Sequence, residues 1–152
     1  MGFSNPVGWV SARRLLLFRS AGHTLAIDAG AAREILPGQT ATRIPGAGRA
    51  VRGLVNVRGV LVTLIEAAAA MGLDAGSASP FGGAVLVLEY KGRRVGLVVD
   101  EVLDLAVVDD ADLDGRGALP GVRPDLVHAV GATAGRSFVQ LETDALLEPL
   151  LP

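Results

Sequence analysis

The stretch at residues 84–99, AVLVLEYKGRRVGLVV, constrains this chain more than any other. It reads as two strands around a Lys91-Gly92 turn. Successive strand side chains point to opposite faces. Here valine and leucine occupy both sets of positions, so neither face sees much water. The chain shows no long alternation of strands with helices, which argues against a parallel sheet covered by helices. Aromatic residues make up only 4% of the 152 residues. The core must therefore be built from Val, Leu, Ile and Ala.

Other segments repeat this style. Residues 14–19 (RLLLFR) and 23–27 (HTLAI) flank Ser20-Ala21-Gly22. Asp28 is placed to cap a short helical turn over 29–34, ended by Pro37-Gly38. Pro45 keeps 42–44 extended. Residues 52–57 and 60–65 form a second hairpin around Asn56-Val57-Arg58-Gly59, with glycine where φ turns positive. The run EAAAAMGL at 66–73 predicts a short helix. Residues 76–80 are a flexible break. A strand at 103–108 precedes a long acidic, Gly/Pro-rich loop at 109–124. Residues 126–132 and 137–141 pair around Gly135-Arg136. A helix over 143–150 has Thr143 as its N-cap. Many short strands with few helices indicate a small β-barrel or a pair of them.

Several function classes are excluded or disfavoured. The net charge of -2 gives no general attraction to nucleic acid or anionic lipid. With no cysteine, disulfides, thiolate metal sites and cysteine nucleophiles are ruled out. The N-terminus lacks a signal-peptide pattern, and charges interrupt every apolar run before it could cross a bilayer. His23 and His128 lie in separate strands with no third ligand nearby in sequence. Residues 110–115 (DADLDG) mimic half a calcium loop, but the closing glutamate position is Gly121. No phosphate loop or nucleophile elbow is present. Carboxylates adjacent in a strand, such as Asp100 and Glu101, face opposite ways. The expectation is no enzyme, no metal and no cofactor. A small β-barrel enzyme or ligand-binding protein would need a concave pocket with convergent polar groups.

What remains is charge at the bends of an apolar scaffold. Arg58 sits at a hairpin tip and Glu34 follows the helical turn. An arginine in apolar surroundings needs a carboxylate, so Arg58 is expected to pair with Glu34 beside a hydrophobic groove. Arg52-Gly53, the other Arg-Gly pair, is expected only to start a strand at its solvent edge.

Residues 53–73, GLVNVRGVLVTLIEAAAAMGL, resemble the signature of the CheW-like domain family: G-x-x-N-L-R-G, an apolar strand ending P-x-[IV]-D-L, then L-G-[LM]. Residues 93–105, RRVGLVVDEVLDL, resemble its V-G-[LI]-x-V-D-x-V pattern. The start, with Ala32-Arg33-Glu34-Ile35 in place of V-x-E-I, and the closing hairpin and helix are similar too. Val57, Thr63, Glu66, Ala32 and the run Ala67 to Ala70 depart from the pattern.

The resemblance covers residues 14–147, taken as one domain of two interleaved subdomains, with 1–13 as a loose lead-in. It implies a mainly β fold: two small SH3-like five-stranded barrels around a shared hydrophobic core, with a few short helices. It implies a cytoplasmic adaptor at membrane-associated receptor arrays. The partners would be a chemoreceptor cytoplasmic domain and the regulatory domain of a CheA-type histidine kinase. Glu34, Asn56, Arg58 and Gly59 are the expected receptor-binding residues; no residue is assigned to the kinase. The alternative is a divergent scaffold that binds only the kinase domain, in a non-chemotactic pathway such as surface motility.

Overall fold

The computed structural model describes residues 12–73 and 83–151. The expected lead-in and the break at 76–80 lie outside the described residues, apart from positions 12 and 13. Among the described residues ten strands form two five-stranded sheets. β1 (Ala12–Ser20) and β2 (His23–Asp28) open the first sheet. β3 (Ala32–Pro37), β4 (Val51–Val57), β5 (Val60–Glu66), β6 (Ala84–Tyr90) and β7 (Arg93–Val99) make up the second. β8 (Glu101–Asp109), β9 (Val127–Thr133) and β10 (Arg136–Leu141) return to the first. The first sheet runs β8-β1-β2-β10-β9 and the second β3-β6-β7-β5-β4. Among the described residues two short α-helices, α1 (Ala67–Ala70) and α2 (Thr143–Leu147), and three single 3-10 turns accompany the sheets.

The two-faced strands find three apolar environments. Leu86, Leu88, Val95, Leu97 and Val99 face a shared core with Leu16, Phe18, Leu25 and Ile27 of the first sheet. The opposite faces of β5, β6 and β7 supply Val62, Leu64, Val85, Val87 and Val98 to an interior of the second sheet's own. Leu15, Leu17, Ala26, Ala106, Val108 and Phe138 fill the corresponding interior of the first. Apolar residues at both strand faces are therefore required. One face lines a barrel, and the other lines the seam between the two barrels.

Gly96 shows how full the second interior is. A Cβ there would lie 2.6 Å from Leu64 Cδ2 and 2.7 Å from Val85 Cγ1. Both neighbours are buried side chains with little freedom to retreat. Gly96→Ala is expected to cost about 1–3 kcal/mol through overpacking. A thermal midpoint unchanged from wild type would contradict that packing.

Four tight hairpins set the local register. Their central pairs are Ala21-Gly22, Arg58-Gly59, Lys91-Gly92 and Ala134-Gly135, all with positive φ at both residues. This is the twist that matches two-residue hairpins to right-handed strands. The last turn falls one residue earlier than the expected Gly135-Arg136, because glycine takes the second position as in the other three.

Three expectations of helix are corrected. The helical turn after Asp28 covers only Ala29–Ala31, with Asp28 Oδ1 accepting from the Gly30 N–H at 3.0 Å. Ala32 to Glu34 are extended instead, because β3 pairs with β6 and cross-strand hydrogen bonds outweigh the local propensity. The alanine helix stops at Ala70, ended by Gly72 at φ +82°. The last helix spans Thr143–Leu147; Glu142, not Thr143, holds the N-cap position and makes no side-chain capping bond.

Two pairings are parallel, β5 with β7 and β2 with β10. The hairpin reading of the sequence did not contain them.

Candidate functional site

The β4–β5 hairpin is pinned from within. Val57 pairs with Val60, and the Gly59 N–H donates to Asn56 Oδ1 at 2.8 Å. The asparagine thus closes the bend that glycine permits, and Arg58 at φ +50° projects from the tip. Arg58 Nη2 donates to Glu34 Oε1 on β3. That contact raises the arginine pKa further above its ordinary value, first through the hydrogen bond and then through the carboxylate's charge. The expected pair is therefore present.

The pair lies on the rim of a groove of about 240 Å³ lined by Glu34, Val57, Arg58, Val60, Val62, Val87 and Arg94. Val62 and Val87 are buried and belong to the interior of the second barrel, so the groove is that barrel's open mouth. Val60 and Leu61, next to the turn, are 48% and 62% exposed. Asn56 and Gly59 are not among the groove-lining residues; they shape the turn that carries Arg58.

Sequence reasoning missed Val87 and Arg94 as groove residues. The β6–β7 register puts Val87 opposite Gly96 and Glu89 opposite Arg94, on one face. That part was readable from the hairpin. The parallel pairing that sets Arg94 beside Val62 was not.

Arg52 has a different role from the one expected of it. At this point β4 carries a bulge: Val51 pairs with Ile65 and Gly53 with Leu64, leaving Arg52 as the extra residue. Arg52 Nη2 lies 2.5 Å from Glu66 Oε2, and Glu66 is only 7% exposed. Burial raises the Glu66 pKa; the charge and hydrogen bond of Arg52 oppose the shift, and nearby Asp100 adds to it. Arg52 is thus a largely buried counter-ion at the start of β4, not a solvent-facing residue. The adjacent Gly53 sits at φ +141° because β4 is crossed there by Thr42, which exchanges two 2.8 Å backbone hydrogen bonds with Leu54.

Elsewhere, Arg13 pairs with Asp110, and His128 Nδ1 lies against Glu142. Leu105 and Val107 are exposed on β8, an edge strand of the first sheet. Among the described residues no three His, Asp or Glu side chains converge on a metal position. Nor is any described helix long and apolar enough to cross a membrane.

Two barrels sharing a core, with an apolar mouth rimmed by a hairpin-tip ion pair, describe a small double-barrel β protein whose most distinctive surface suits docking. The family model of the CheW-like domain matches residues 14–150, and the chain belongs to that family. It is 30% identical over 138 residues to the chemotaxis protein CheW of Rhizobium meliloti, covering 88% of this chain and 86% of the relative. It is 31% identical over 99 residues to a probable chemotaxis protein CheW of Rhizobium etli, covering 64% of this chain and 63% of that one. The fold matches the crystal structure of the scaffolding protein TtCheW from Thermoanaerobacter tengcongensis with a TM-score of 0.80, at 19% identity. That match covers 90% of this chain and 92% of the other.

Proposed function

We propose that this chain is a non-catalytic adaptor in chemotaxis-like signalling. It joins the cytoplasmic tips of chemoreceptors to the regulatory domain of a CheA-type histidine kinase, and it works in the cytoplasm at receptor arrays. The observation that carries this reading is the Glu34–Arg58 pair at the rim of the second barrel's mouth. A rigid hairpin holds a directional charge beside apolar side chains, a combination suited to docking a partner segment. Asn56 and Gly59 contribute by fixing the turn.

The test is a pull-down of the full chain with receptor cytoplasmic-tip fragments. Arg58→Ala and Glu34→Lys are expected to weaken capture by about tenfold while leaving the thermal midpoint near wild type, because the pair is largely solvent-facing. Undiminished capture by both variants sinks the site assignment.

A second reading is a scaffold that binds only the kinase's regulatory domain, in a non-chemotactic pathway. Leu105 and Val107 favour a barrel-to-barrel contact of that kind, since exposed apolar side chains on an edge strand invite a partner. Capture of the kinase domain by a chain that captures no receptor fragment would favour this reading.

A further inference from the structure

Three ionised side chains line the barrel mouth: Glu34, Arg58 and Arg94. Glu34 and Arg58 neutralise each other. Arg94 is different. Its cross-strand neighbour is Glu89, but the Glu89 carboxylate bonds Arg33 at 3.0 Å. Among the described residues no carboxylate lies within ion-pair distance of Arg94. Glu89 thus offsets two arginines with one charge, bonding Arg33 and feeling Arg94 only through space, and the groove presents a half-buried guanidinium with no carboxylate bonded to it beside Val62 and Val87.

That arrangement has a consequence for any partner seated there. Apolar side chains entering the mouth displace water from around Arg94. A guanidinium losing water without an anion is penalised, whereas one meeting a carboxylate gains a charge-assisted, geometrically directed contact. A partner bearing a cation at that point is rejected outright, which makes the charge a device of specificity as much as of affinity.

We propose that Arg94 selects the occupant of this groove: a chemoreceptor-tip segment that sets an Asp or Glu beside its apolar anchors. This rests on the adaptor reading given above and adds to it the chemistry of the receptor surface. Glu34 and Arg58 shape one wall of the mouth, and Arg94 reads the acidic residue from the other.

The experiment is titration calorimetry of the full chain with a receptor cytoplasmic-tip fragment captured by wild type. Arg94→Gln is expected to weaken binding about tenfold and Arg94→Glu about a hundredfold, with a shallower salt dependence for Arg94→Gln. The decisive arm replaces each Asp and Glu of the fragment by Lys in turn. One such change should weaken binding to wild type and restore binding to Arg94→Glu. Circular dichroism and thermal melts confirm that both variants are folded; Arg94→Gln, which keeps size and polarity, carries the test if the charge reversal is not.

Wild-type affinity in Arg94→Gln, alongside lost affinity in Arg58→Ala, overturns the role of Arg94 and leaves the adaptor reading standing. So does a scan in which no charge swap rescues Arg94→Glu. If no tip fragment binds even the wild-type chain, the adaptor reading fails, and this inference with it.

Discussion

Arg52→Ala is expected to lower the unfolding free energy by about 3 kcal/mol at pH 7, the cost of leaving a buried charge without its partner. Glu66 ends β5 and is 7% exposed, so it keeps little hydration of its own. Its pKa is raised chiefly by burial, and Arg52 is what restrains the rise. The pH dependence follows from that sign. With its folded pKa above the unfolded value, Glu66 holds more protons in the native state across the interval between the two. Its contribution to stability falls as pH rises through that interval, and the full cost is present above it.

Removing Arg52 removes the opposing influence, so the carboxyl shifts further upward and the interval widens toward neutrality. The deficit of Arg52→Ala relative to wild type should therefore shrink as pH falls through that interval in urea unfolding. A deficit that does not change with pH would show that the loss is one of packing, not of charge. The double variant Arg52→Met, Glu66→Leu should recover much of the loss, because an apolar pair needs no compensation. If it is as unstable as the single variant, the counter-ion role is wrong.

Gly53→Val should be as damaging or worse, at least about 3 kcal/mol, through backbone strain and steric conflict acting together. A Cβ at Gly53 would stand 2.1 Å from the Thr42 carbonyl oxygen and 2.7 Å from its carbon. Neither is the movable end of a side chain. The φ of +141° is also one that L side chains rarely adopt. Relieving the clash means separating Thr42 from Leu54 and losing two 2.8 Å hydrogen bonds. Gly59→Ala is the control. A Cβ there meets nothing within 4 Å, so only the positive φ of +84° resists it, and the loss should be far smaller. Comparable losses in the two variants would remove the close-approach argument. A stable, cooperatively folded Gly53→Val would do so as well.

The two Arg-Gly pairs are thus opposites. Arg58-Gly59 was legible in sequence because its causes are local: glycine in a two-residue turn, asparagine two positions before it, and β-branched strands on either side. The partner Glu34 was named too, as a carboxylate placed just after the turn that follows Asp28, for an arginine that needs one in apolar surroundings. Arg52-Gly53 was not. Nothing near it in sequence announces a bulge, and both Thr42 and Glu66 reach it only through the fold.

By itself the sequence determined the hairpins, their glycine turns and the need for two covered faces. Each follows from steric rules acting over a few residues, or from the hydrophobic alternation of single strands. Tertiary structure alone decided the parallel pairings of β5 with β7 and β2 with β10, and the conversion of Ala32–Glu34 from an expected helical turn into part of the edge strand β3. It also placed Arg94 in the barrel mouth. The physical reason is common to all of these. Parallel partners are not joined by a turn, so no local residue pattern encodes their register. Local propensity of a few tenths of a kilocalorie per residue also yields to a row of cross-strand hydrogen bonds and a buried face.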